Sequence, residues 1–125
     1  MSLVLVDSSA WIEAMRPAGD PAVRARVQAL LASGSAAWCD MVRLELWNGA
    51  RGTEEHAALT RMETSVPRLP IDDVVWSAAI ALGKNARAAG LTVPAADLLI
   101  VACARVHKLA IEHSDHHLQR LASIT

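Results

Sequence analysis

The sequence has no phenylalanine and no tyrosine, so all of its aromatic contact area rests on four tryptophans, Trp11, Trp38, Trp47 and Trp76. Some of these must be core. It has only two cysteines, Cys39 and Cys103, with no CxxC spacing, which reads as a pair of buried thiols in a reducing compartment rather than a disulfide framework. It lacks an excess of either charge. Thirteen Asp and Glu against twelve Lys and Arg leave a net charge of -1, which excludes a global attraction to nucleic acid or to anionic membranes. Any anionic partner must be met by a local patch or by a metal ion. There is no long apolar run. The first one is too short for a signal segment or a membrane span and no Lys or Arg precedes it, so a cytoplasmic protein without membrane attachment is expected.

Repeats, low-complexity tracts and linkers are absent too, and Pro and Gly fall singly between periodic segments. What is present is apolar: 53% of 125 residues is enough for one compact domain over residues 1–125. The segments alternate in type. A strand is expected from Leu3 to Val6, then a helix from about Ser9 capped by Asp7 or Ser8. A second helix starts at Asp20-Pro21, presents Val23, Val27, Leu30 and Leu31 on one face and ends at Gly34. A short strand over Ala36 to Cys39 precedes a third helix that Asp40 can cap, running through Asn48.

A fourth helix near Glu54 to Ser65 leads into the strand-like "PRLPI". Asp72 and Asp73 then suit the first turn of the longest helix, striped by Val75, Ala79, Leu82 and Ala86 and stopped by Gly90. Pro94 reopens helix at "PAADLLIVACARVHK", followed by a strand from Leu109 to Glu112, a short helix from about Ser114 and a last edge strand. Strands alternating with helices imply right-handed crossovers and an α/β fold, a mostly parallel sheet of four to five strands flanked by helices.

Ligands in such sheets gather beyond the carboxyl ends of the strands, where Asp7 and Asp115 both stand. Each is either a helix cap or a working group. Two further acids lack local counter-charges. Glu45 has Met41, Val42, Asn48 and Gly49 at helical spacing, and Asp97 has Val93, Pro94, Ile100 and Val101. An ionised carboxylate buried without a partner costs several kcal/mol, so such groups protonate, find a remote cation or hold a metal. Four acids without local partners suggest a shared cation.

Four segments in order, "LVDSSAWIE", "RLELWNGAR", "PAADLLIVACA" and "EHSDHHL", resemble the PIN-domain ribonucleases, in particular the VapC-type toxins of bacterial toxin-antitoxin pairs. The resemblance spans nearly the whole chain. It implies a three-layer α/β sandwich whose acidic pocket binds magnesium or manganese and cleaves RNA. The acids of these segments are here Asp7, Glu45, Asp97 and Asp115, with Asp7 and Asp97 expected as direct metal ligands and the other two completing the site. Ser9 falls where family members often carry a small polar residue that helps hold the site. The chemistry suits the residue types: magnesium takes oxygen ligands while keeping several waters, and can polarise a phosphodiester and activate an attacking water.

The sequence departs from the family near the fourth acid, where Thr-x-Asp-x-Asp-aromatic becomes His113 to Leu118 and the second acid becomes His117. That lowers the pocket's negative charge and favours one ion over two. His107, His113, His116 and His117 crowd the end of the chain, yet adjacent helical histidines point about 100 degrees apart and cannot easily share one zinc. A solvated or RNA-facing cluster is expected instead.

Arg43, Arg51, Arg61, Lys84 and Arg87 are the candidates for phosphate contacts, which would weaken as salt rises. The resemblance further implies a structured RNA substrate such as tRNA or rRNA, a homodimer, and a small VapB-type antitoxin whose tail fills the groove. Trp47, two residues from Glu45 on the helix that grips the antitoxin in the family, is the candidate partner contact. Two other classes remain: a degenerate PIN module that binds without cutting, against which all four acids argue, and a phosphotransfer receiver domain. The latter needs a second acid beside Asp7 and a lysine at the sheet's carboxyl edge; Ser8 and Ser9 follow Asp7, and Lys84 and Lys108 lie in expected helices.

Overall fold

A computed structural model describes residues 2–125. Its elements follow the order β1 (Val4–Val6), α1 (Ser8–Met15), α2 (Pro21–Ala32), β2 (Ala36–Cys39), α3 (Asp40–Gly49), α4 (Gly52–Ser65), β3 (Arg68–Leu69), α5 (Asp73–Ala88), α6 (Ala95–Val106), β4 (Ala110–Glu112) and α7 (His116–Leu121). The strands form one four-stranded sheet in the order β3-β2-β1-β4, every pair parallel, with Leu5 opposite Ala37 on one side and Ile111 on the other. Chain connections step outward from β1 through β2 to β3, then return across the sheet to β4. Right-handed crossovers therefore put α1 and α2 on one face and α5 and α6 on the other, giving three layers. The reversal of strand order falls between β1 and β4, and the crevice at their carboxyl ends is where such a sheet accepts a ligand.

The two central strands are short but almost wholly enclosed: Leu5, Val6 and all of Ala36 to Cys39 are buried, while β4 at the edge is not. Apolar runs of this kind suit a parallel sheet covered on both faces. Trp11, Trp38, Val27, Val42, Leu59, Val75 and Ile100 close the main core around them. A smaller cluster of Leu82, Ala86, Val101, Leu118 and Leu121 ties α5, α6 and α7 together. Cys39 and Cys103 are both buried and free.

Several local expectations change. Leu31 of α2 is exposed rather than buried beside Val23 and Val27. Asp40 is the first residue inside α3, not its cap. Its carboxylate instead takes Arg43 at 2.9 Å, Arg68 at 3.3 Å and the backbone N–H of Ile71 at 3.2 Å. The expected last edge strand does not form: Ile124 turns back on Leu121 through a 3.0 Å backbone bond and packs on the smaller cluster. Gly19 closes the turn between α1 and α2 so tightly that a Cβ there would lie 1.8 Å from the Glu13 carbonyl oxygen, which any larger residue would strike.

Candidate active site

Parallel pairing carries β1 straight into the crevice, and the N–H of Asp7 still bonds the Glu112 carbonyl at 2.9 Å as the sheet ends. The next residues begin α1, so the Asp7 carboxylate takes up the capping role through one oxygen only. Its Oδ2 accepts from the Ser9 N–H at 3.1 Å and from the Ser9 hydroxyl at 2.6 Å. The Ser9 hydroxyl oxygen in turn accepts from the Ser114 N–H at 2.9 Å, which fastens the start of α1 to the segment after β4. The other oxygen, Oδ1, is buried with no protein partner, in a residue only 3% exposed. An orphaned carboxylate oxygen of this kind demands a ligand or ordered water.

Around it the chain gathers the other three acids. Glu45 projects from α3 and accepts from the Ser8 hydroxyl at 3.0 Å. Asp97 lies in the first turn of α6, and Asp115 caps α7 by accepting from the N–H groups of His117 at 2.7 Å and Leu118 at 3.3 Å. Burial pushes the Glu45 carboxyl above the usual range against the Ser8 hydrogen bond, and the charges of Asp7, Asp97 and Asp115 push the same way. Asp97 is likewise raised, first by burial and then by Asp115 and Asp7. Among the described residues, no Lys or Arg pairs with any of the four. The nearest basic group is His117, whose Nδ1 lies 3.5 Å from Asp97 Oδ2 and 3.6 Å from Asp115 Oδ1. Four clustered acids that no Lys or Arg neutralises, with one buried oxygen unpartnered, fit a divalent cation.

Residues 4–124 match the PIN domain family. The chain belongs to that family. Its relatives include the VapC ribonuclease Mb1587 of Mycobacterium bovis, 35% identical over 98% of this chain and 94% of that protein. Among solved structures, a toxin-antitoxin complex from Klebsiella pneumoniae matches with a TM-score of 0.69 and 17% identity over 86% of this chain and 82% of its own. The Mycobacterium tuberculosis toxin VapC20, described as cleaving the sarcin-ricin loop, matches with a TM-score of 0.69 and 21% identity over 98% and 96%.

The fold brings Asp7, Glu45, Asp97 and Asp115 near enough for their charges to act on one another, sets Asp97, Asp115 and His117 side by side, and uses Ser9 as a brace between Asp7 and the β4 side. Trp47 stands outside the pocket on α3, half-buried. Its indole N–H donates to Glu63 at 2.9 Å and its ring centroid lies 5.9 Å from that of His56. Arg43 is not free to meet phosphate: Glu63 at 2.8 Å and Asp40 at 2.9 Å hold it. Nor do the histidines form one cluster. His107 caps the far end of α6, the His113 Nδ1 accepts from the Asp115 N–H at 3.3 Å, and His117 alone turns among the acids.

Two site residues escaped the sequence reading. Ser8 was legible only as a possible cap, whereas its hydroxyl braces Glu45; a serine after a strand carries no sign of which distant acid it will meet. His117 was legible as a missing acid, but not as a group pointing at two others. From Glu45 an open groove runs between α1, α3 and α4, floored by Ile12, Met15, Leu46 and Leu59 and rimmed by Arg51 and Glu55.

Proposed function

We propose that this PIN domain is a divalent-metal-dependent endoribonuclease, the toxin of a toxin-antitoxin pair, acting on structured RNA such as tRNA or rRNA. The observation that carries the reading is the buried, unpartnered Oδ1 of Asp7 among three further acids that no Lys or Arg neutralises. Relatives named as VapC ribonucleases support it. Asp7 and Asp97 would hold the ion, magnesium or manganese, with Glu45 and Asp115 completing its surroundings. When bound, the ion supplies a Lewis acid for the scissile phosphate and for an attacking water.

The chain's own residues do the rest. Ser9 and Ser8 fix the Asp7 and Glu45 carboxylates through their hydroxyls, so the donors stand ready before the ion arrives. Glu45, whose burial raises its proton affinity, would take the proton of the attacking water. Basic contacts to the RNA backbone fall to Arg51, Arg61, Lys84 and Arg87.

The partner is a VapB-type antitoxin, supported by the likeness to a toxin-antitoxin complex. The groove that opens at Glu45 offers its tail a seat, and Trp47, half-buried on the same helix α3 against Glu63 and His56, would anchor the docked chain. A second copy of the toxin covers the exposed apolar face of α5. Buried free thiols agree with a cytoplasmic site of action, and no described helix is long and apolar enough to cross a membrane.

The deciding experiment incubates the purified, antitoxin-free protein with total cellular RNA in magnesium, in manganese and in excess EDTA, beside Asp97→Ala. Discrete fragments that need the metal and vanish in the variant are expected, the loss being at least about a hundredfold in rate. Folded protein that leaves RNA intact under either metal would replace the nuclease by a PIN module that binds without cutting.

A further inference from the structure

In most of the pocket the donors are oxygens, but the group that completes the ring of side chains between α6 and α7 is an imidazole. The Nδ1 of His117, one oxygen of Asp97 and one of Asp115 all lie within 4.8 Å of one another. At 3.5 Å and 3.6 Å the imidazole is too far from either carboxylate for a good hydrogen bond, so the contact does not use up the nitrogen. Ligands about 2.1 Å from an octahedral ion stand about 3.0 Å apart in neighbouring positions, so these gaps leave room for one between them.

The ring is also held. The His117 N–H bonds Asp115 Oδ1 at 2.7 Å, fixing the first turn of α7, and the His116 ring lies 4.2 Å away centroid to centroid, tilted by 39°. Asp7 stands outside this three-residue group but near enough for its charge to act on Asp97, and its buried, unpartnered Oδ1 is the independent sign that the site awaits a ligand.

Resting on the metal-dependent reading above, we propose that His117 is a nitrogen ligand of the site's ion, and that the chain therefore selects a first-row transition ion, manganese, over magnesium. Magnesium takes oxygen donors and dehydrates reluctantly, and an imidazole in place of a carboxylate offers it neither charge nor a preferred atom. Transition ions accept imidazole readily, and manganese also keeps the affinity for carboxylates that the three Asp and Glu45 supply. The exchange of an acid for His117 thus changes which ion is favoured, beyond lowering the charge of the pocket.

The test titrates manganese into the metal-free full-length protein, following free ion by electron paramagnetic resonance, with magnesium as competitor and with His117→Asp in parallel. Aspartate suits the first turn of a helix, so this variant keeps the fold. The bound manganese of the wild type is expected to show nitrogen-14 modulation in its spin echo. His117→Asp loses that modulation, and its preference for manganese over magnesium falls by about tenfold or more. Manganese bound without nitrogen modulation, modulation that persists in His117→Asp, or an unchanged preference each overturns the role of His117 and leaves the acidic metal site standing. Folded protein that binds neither ion overturns both.

Discussion

Asp97 is pulled in two directions. Burial and the charges of Asp115 and Asp7 raise its proton affinity, while its place in the first turn of α6 favours the charged form by only about 0.3–1 kcal/mol. A carboxyl raised in the folded state binds more protons there than in the unfolded chain. The metal-free protein therefore loses stability as pH rises from the usual carboxylate range through the raised folded value, and above it the loss is complete. At neutral pH in EDTA, Asp97→Asn is expected to raise stability by on the order of 1 kcal/mol, read as a higher Tm, while abolishing cleavage. The gain should shrink as pH falls from the raised folded value into the usual carboxylate range, where wild-type Asp97 takes up its proton. An unchanged or lower Tm at neutral pH would show that the acids do not strain the empty fold. At this scale the sequence was informative about which acids had no local partner, because helical spacing alone decides that. It was silent on Ser8 meeting Glu45 and on His117 meeting Asp97, because those contacts join segments that only the sheet's closure brings together.

Two of the acids end strand-to-helix junctions and serve as N-caps, Asp7 for α1 and Asp115 for α7. Capping and metal binding can be separated at Asp115, since Asn caps as well as Asp and lacks the charge. Asp115→Asn is expected to hold or modestly raise the Tm in EDTA, because it keeps the cap and relieves the repulsion on Asp97, whereas Asp115→Ala loses the cap and falls below Asp115→Asn by about 1 kcal/mol. Saturating metal stabilises a protein that binds it, by about 2.7 kcal/mol at a hundred times the Kd, and both variants should lose most of that rise. If Asp115→Asn keeps the full metal-induced shift in Tm, the residue is a cap alone. Cap chemistry is also why most elements were legible: Asp20-Pro21, Asp72 and Gly90 bound α2 and α5 closely. It misled at Asp40, whose carboxylate has competing donors in Arg43, Arg68 and Ile71 that no local pattern reveals. The last edge strand failed for a related reason, since Ile124 gains more by packing on Leu121 than by extending the sheet beyond β4.

On the molecule as a whole, a net charge of -1 leaves no long-range field to recruit partners, so under the proposed function recognition would rest on two surfaces. One is the groove between α1, α3 and α4 that ends at Glu45, together with Trp47 on the same helix α3. The other is α5, where Val74, Trp76 and Ile80 remain 62%, 50% and 59% exposed although their neighbours Val75 and Ala79 are buried. Fully covering a large apolar side chain gains about 1.5–3 kcal/mol, so covering half-exposed Trp76 and Ile80 on each of two symmetric copies gains several kcal/mol. That is enough to make self-association sensitive to one charge. By sedimentation, Ile80→Asp is expected to convert a dimer to a monomer while still binding the antitoxin. Trp47→Ala should remain dimeric and lose about 2 kcal/mol of antitoxin affinity, seen by calorimetry. The surfaces are on different elements, so the two losses should be independent and add in the double variant. Loss of antitoxin binding in Ile80→Asp would instead place the antitoxin on α5 and leave the groove at Glu45 for the RNA.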